Sequence, residues 1–206
     1  MLGCIRSRLS SRVRLQVVLA AVSCLTLCLA GWLTSLAAGP KAGWSEPASL
    51  PTGLAQESAV TLPDGRIVVT GGVTSVDKAS TKIQLFDPTT NKWSESAAHL
   101  NTGRVLHASA VGHDGKVYVF GGRNAIGPPI SEVESYDPAS DTVNALSGAG
   151  CIVRAGLAAT TLSDGRIMLI GGTDISKAVN TVEFFDTATG KCALASGADV
   201  MPTARM

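Results

Sequence analysis

Beyond residue 58 the apolar residues come in runs of four or five, each closed by turn formers. Three runs end alike. Ile67-Val68-Val69-Thr70 leads into Gly71-Gly72, Val117-Tyr118-Val119-Phe120 into Gly121-Gly122, and Ile167-Met168-Leu169-Ile170 into Gly171-Gly172, at a spacing of fifty residues. An Asp-Gly turn precedes each run, at Asp64, Asp114 and Asp164. An aromatic-aspartate pair follows each, at Phe86-Asp87, Tyr136-Asp137 and Phe185-Asp186. Seven residues past those aromatics stand Trp93, Val143 and Cys192.

Runs this short, bounded by Gly, Pro and Asp, predict strands. Each unit reads as four antiparallel strands: strand a over 58–62, 108–112 and 157–162, strand b ending in the glycine pair, strand c ending in the aromatic-Asp pair, and strand d after it. Strand b is apolar on both sides, which suits a strand covered on both faces. The glycine pair at its end permits close backbone approach and positive φ. The Asp-Gly pairs supply the positive-φ positions of the a-to-b turns, so these aspartates read as turn formers rather than an acidic site. Asp87 and Asp137, each before proline, initiate turns in the same way. A fifty-residue unit of this kind cannot bury its own apolar faces and must stack beside its copies.

The order apolar strand, Gly-Gly, loop, aromatic, Trp resembles the kelch repeat, the blade unit of one class of β-propeller, from about Trp44 to the C-terminus. The resemblance implies an all-β fold: a partial kelch-type propeller of three four-stranded antiparallel blades, preceded by an N-terminal hydrophobic helix. Its repeat positions here are Gly71, Gly72, Gly121, Gly122, Gly171, Gly172, Trp44 and Trp93. Val143 and Cys192 depart from the expected Trp. Trp44-Ser45-Glu46 echoes Trp93-Ser94-Glu95, and Pro202-Thr203-Ala204-Arg205 echoes the approach to strand a. The expected divisions are therefore a leader over 1–38 and a kelch region over 39–206. Within that region fall a lone d strand at about 41–50, blades at about 54–100, 104–147 and 154–198, and the start of a further blade at 201–206. Propellers usually close with four to eight blades. The remaining blades are expected from a longer chain or from another copy.

Arg6, Arg8, Arg12 and Arg14 precede Leu15–Ala38, which holds no charged residue and ends in small residues. This has the form of an export signal, and its 24 uncharged, mostly apolar residues are also enough to span a bilayer as an anchor. Either way the kelch region is expected outside the cytoplasm, whether periplasmic, extracellular or membrane-anchored, and touching the membrane only through this segment. Setting aside the four leader arginines, thirteen basic residues face sixteen acids, a net charge of −3 with no basic patch, which argues against nucleic acid as partner.

Of five cysteines only Cys151 and Cys192 lie outside the leader. An oxidising compartment invites a disulfide between them. Alternating strand directions, however, place Cys151 in a d-to-a connection on one face and Cys192 at the start of strand d on the other. That separation is roughly 15 to 20 Å, against the ~7 Å a bridge tolerates. The expectation is that they stay apart.

No HExxH, CxxC, GxSxG or P-loop pattern is present, and neither cofactor nor metal is expected. His107 and His113 stand near opposite ends of one strand, too far apart to share a metal, and His107 reads as structural. Chemically distinctive side chains gather instead on the face where the b-to-c and d-to-a connections emerge. Arg104 and Arg154 occupy equivalent d-to-a positions, Arg123 and Asn124 follow one glycine pair, and Asp174 follows another. A ring of guanidinium groups there would grip carboxylates bidentately. The competing reading is that the arginines brace the blades against carbonyls and acids.

These residues point to an exported binding module presenting loops to a protein or glycan ligand rather than to an enzyme, and they leave the enzyme question open. Two alternatives stand beside it. One is a fragment of a kelch-type carbohydrate-active enzyme. The resemblance offers a sialic acid mutarotase, and less well a copper radical oxidase, since Tyr118 and Tyr136 fall at blade-core positions. The other is a truncated product with no function of its own.

Overall fold

The structure, a computed structural model, describes residues 48–75, 78–195 and 201–205. The N-terminal hydrophobic segment, Trp44 and most of the expected lone d strand lie outside the described residues. Among those described there are strands and turns and no helix.

Three four-stranded antiparallel sheets follow one another along the chain. Blade 1 comprises β1 (Ser58–Thr61), β2 (Ile67–Thr70), β5 (Ile83–Asp87) and β6 (Lys92–Glu95). The small hairpin β3 (Val73–Ser75) and β4 (Lys78–Ala79) is its b-to-c loop. Blade 2 comprises β7 (Ala108–Val111), β8 (Val117–Phe120), β9 (Val133–Asp137) and β10 (Thr142–Leu146). Blade 3 comprises β11 (Ala158–Thr161), β12 (Ile167–Ile170), β13 (Val182–Asp186) and β14 (Lys191–Leu194). In each sheet the strands neighbour one another in chain order, as the repeat predicts. The innermost strands lie side by side, β7 against both β1 and β11, so the blades fan out from a common edge.

The repeated turns and glycines account for this geometry. Asp64, Asp114 and Asp164 each accept the N–H two residues on, at Arg66, Lys116 and Arg166, closing the a-to-b turns. Gly122 has φ +82°, and a Cβ there would stand 2.7 Å from both His107 Cβ and Val105 O, so blade 2 closes on its entering strand only with glycine at this point.

The core lies between blades. Val68, Ile83 and Leu85 of blade 1 meet Val117, Val119 and Tyr136 of blade 2. Tyr118, Phe120 and Val133 of blade 2 meet Ile167, Leu169 and Phe185 of blade 3, with Phe185 5.3 Å from the Tyr118 ring and 5.1 Å from Phe120. β8, sandwiched by both neighbours, is buried along its whole length. In β12 the burial alternates, and Met168 and Ile170 on the far side are only half-buried.

One expectation is overturned: Cys151 and Cys192 form a disulfide, with Cα atoms 5.0 Å apart. The opposite-face argument fails because the d-to-a connection does not stay on one face. It runs down the next blade and passes the start of that blade's outer strand. Cys192 N–H donates to Ala149 O at 2.7 Å, and Lys191 Nζ to Gly148 O at 2.7 Å. The same crossing recurs earlier, where Trp93 Nε1–H donates to Ala48 O at 2.8 Å and Ala97 N–H to Asp141 Oδ2 at 3.0 Å.

Candidate functional site

Arg104 and Arg154 do not stand on the loop face as ligand-binding groups; both are 0 % exposed. Arg104 pairs with buried Glu134, and Arg154 with buried Glu183. Each guanidinium also caps carbonyls at the end of its own blade. Arg104 Nη1 donates to Gly121 O at 3.1 Å and Glu132 O at 3.0 Å, and Arg154 Nη1 to Gly171 O at 3.0 Å and Thr181 O at 3.1 Å. The carboxylates in turn take backbone N–H groups of the entering connection, Asn101 at 2.6 Å and Ile152 at 3.0 Å. Burial lowers both guanidinium pKa values, that of Arg154 to about 10, with Glu134 pulling Arg104 back up, so both remain cationic at neutral pH. The bracing reading is the one the geometry supports. A sequence signal for it exists in the third member of the set: the strand position of Glu134 and Glu183 is Gln84 in blade 1, and the arginine position there is Leu54. Arginine and glutamate are present together or absent together.

His107 is a packing residue. Its Nε2 lies 2.9 Å from Thr70 Oγ1, and burial, with Arg104 nearby, depresses its pKa to about 3.

What remains on the loop face is Arg123, Asn124 and Asp174. Arg123 and Asp174 line one cleft of about 550 Å³ between the b-to-c loops of blades 2 and 3, together with Ile126, Pro128, Pro129 and Ile175. Asn124 does not line it; its Oδ1 accepts Ala125 N–H at 2.8 Å and its carbonyl Gly127 N–H at 3.0 Å, which shapes the turn. Asp174 has a similar duty, its Oδ1 accepting Ser176 N–H at 2.7 Å and Lys177 N–H at 2.9 Å. Those bonds lower its pKa. The sequence reading missed the two isoleucines at the loop tips, Ile126 at 79 % and Ile175 at 82 % exposure. Their signal was visible: a large aliphatic residue in a loop of otherwise small or polar residues.

Arg123 differs from its two buried counterparts. No acid pairs with it among the described residues; its Nε is out of water without a partner, as is that of Arg154. A second cleft, of about 510 Å³, opens at the a-to-b turns and is lined by equivalent residues of the three blades, with His113 its one ionisable group. Among the described residues no three His, Cys, Asp or Glu side chains gather as metal ligands.

Residues 43–206 match the KLHDC2/KLHL20/DRC7 Kelch-repeats domain. The chain belongs to the kelch-repeat family. The structure titled "Structure of YjhT" superposes on this kelch chain with a TM-score of 0.64 at 21 % identity, covering 78 % of this chain. This chain spans 58 % of the length of that one, and the likeness is one of fold. Among curated proteins, none matches.

Proposed function

We propose that the protein is an exported kelch-repeat binding module that presents the b-to-c loops of its blades to a protein ligand. The observation that carries this reading is the pair of exposed isoleucines, Ile126 and Ile175, on neighbouring loop tips that flank one cleft. Exposed aliphatic residues grouped in this way, with a polar rim, are what protein-binding patches offer. Pro128-Pro129 fixes the backbone of one wall, which lowers the ordering entropy of binding. Export is supported by the basic-then-apolar leader and by the Cys151–Cys192 bridge, which suits an oxidising compartment.

The test uses the full chain and a displayed library of random peptides. Peptides retained by the wild type are expected to lose at least tenfold in affinity for the double variant Ile126→Ser/Ile175→Ser, with the melt unchanged. Retained peptides indifferent to both substitutions would end the loop-tip reading. Expression with the native leader, followed by fractionation, is expected to leave the kelch region outside the cytoplasm. A cytosolic product with free Cys151 and Cys192 thiols would contradict export.

A further inference from the structure

We infer that the cavity under the connection leaving blade 2, kept open by the Cys151–Cys192 bridge, binds a leucine or methionine side chain carried by an extended segment of a partner protein. This cavity shares no lining residue with the cleft at the loop tips.

The repeat supplies the comparison. In blade 1 the outgoing connection is bonded back to the residues just before the blade's third strand, with Leu100 N–H donating to Thr81 O at 2.8 Å and Arg104 N–H to Ser80 O at 3.3 Å. Blade 3 does the same. There Met201 N–H donates to Asn180 O at 3.1 Å and Arg205 N–H to Val179 O at 3.3 Å. The equivalent pairs in blade 2 are Gly150 with Ser131 and Arg154 with Ile130, and among the described residues neither bond is made. The connection has come away from its own blade.

What draws it away is blade 3. Cys151 is bridged to Cys192, Ala149 O accepts Cys192 N–H and Gly148 O accepts Lys191 Nζ, so residues 148, 149 and 151 are all fastened to the outer strand of that blade. The bond that Asn101 N–H makes to Glu134 has no counterpart at Cys151; only the next residue, Ile152, reaches Glu183. Gly150, at φ +74°, permits the change of path. A cavity of about 210 Å³ is left between the displaced connection and β9 and β10, with Ser131, Val133, Leu146, Ala149 and Gly150 in its lining.

The sister blades show what fits. Leu100 is 2 % exposed and belongs to the apolar cluster of Leu62, Ile83 and Leu85, and blade 3 has Met201 at the same position. Gly150 brings no side chain there. An aliphatic side chain entering from a partner would cover Val133, Leu146 and Ala149 as Leu100 covers its own blade. The backbone N–H of that residue would meet Ser131 O, the acceptor that Gly150 does not use. Main-chain bonds of this kind supply affinity when an extended segment is added, and the pocket supplies selectivity. Glu132 is the one charged residue of the lining, which disfavours an acidic side chain.

The test selects peptides from a displayed random library on the full chain carrying Ile126→Ser/Ile175→Ser, so that loop-tip ligands are not recovered. Recovered peptides are expected to share a Leu or Met whose change to Ala costs at least tenfold in affinity. N-methylation of the amide of that residue should cost a similar factor. Leu146→Trp, which fills the cavity, is expected to weaken binding at least tenfold. Cys151→Asn/Cys192→Val copies Asn101 and Val143 of the preceding crossing; it should weaken binding as much and slow amide exchange at Gly150 as that residue pairs with Ser131. Circular dichroism checks that both variants keep their sheet signal. Recovery of no peptide, or of peptides that bind both variants as they bind the parent, would overturn the inference. Self-association of the chain that Leu146→Trp abolishes would make the occupant a second copy and overturn the partner assignment. None of these outcomes touches the loop-tip reading, whose isoleucines are absent from the selected protein.

Discussion

Arg104 and Glu134 show how a single pair of charges is tolerated in a blade interior. Both are buried, and each satisfies several backbone groups besides the other. Blade 1 solves the same position with Leu54 and Gln84, whose Oε1 still accepts Thr52 N–H at 3.4 Å. Removing one partner leaves a buried charge without compensation, which typically costs about 3–5 kcal/mol, whereas replacing both is far milder. Arg104→Leu is therefore expected to lower urea stability by about 3–5 kcal/mol. The double variant Arg104→Leu/Glu134→Gln, an imitation of blade 1, should recover most of that loss. A double variant as unstable as the single one would mean that the carbonyl bonds of Arg104, and not its charge, hold the blade. The sequence made Arg104 and Arg154 conspicuous by their repeat spacing. It did not reveal their burial, because that depends on Glu134 and Glu183, thirty and twenty-nine residues away and delivered by strand pairing.

At the scale of the element, each connection entering a blade is fastened to the start of that blade's outer strand, by three different chemistries. Blade 1 uses a hydrogen bond from the Trp93 indole to Ala48 O. Blade 2 uses Asp141, which accepts from Ser96 Oγ and Ala97 N–H and from Tyr136 Oη at 3.0 Å. Blade 3 uses the Cys151–Cys192 bridge. Phe86 pairs with Trp93, Tyr136 with Val143 and Phe185 with Cys192 across the ladder, so the cysteine occupies the tryptophan position of its repeat. The departure from the kelch pattern at Cys192 is thus a covalent replacement for an indole hydrogen bond. Closing a loop of 41 residues limits the unfolded chain, with a chain-entropy stabilisation of about 4 kcal/mol as upper expectation. Urea unfolding with and without a thiol reductant is expected to differ by about 2–4 kcal/mol. Equal curves, with reduction verified by alkylation, would contradict a stabilising role.

For the whole molecule, the two buried interblade layers contrast with the far side of blade 3, where Met168, Ile170 and Phe184 are half-buried and Arg205 is exposed. Arg205 is nonetheless seated as Arg104 is. Its carbonyl accepts Gly172 N–H at 2.9 Å and its N–H donates to Val179 O at 3.3 Å, against 2.9 Å and 3.3 Å for the Arg104 contacts with Gly72 and Ser80. A blade carrying an acid at the Glu183 position would complete it. Appending a copy of residues 155–205 directly after Arg205 is expected to raise the urea midpoint, since repeat stability adds through neighbour interfaces. The same extension with Glu183→Gln in the appended copy should raise it less. An extension that leaves the midpoint unmoved would show that this face does not take a blade.

The sequence by itself determined the four strands and their order in each of the three blades among the described residues, because Gly-Gly, Asp-Gly and the aromatic-Asp pairs act locally and recur at a fixed spacing. It also determined that Val143 and Cys192 break the pattern. The tertiary structure alone decided which arginines are buried, which one is left over, and that Cys151 meets Cys192. Each of those facts depends on the path of a connection across a neighbouring strand. That path follows from the packing of one blade against the next, a contact between residues tens of positions apart for which no short motif stands in the chain.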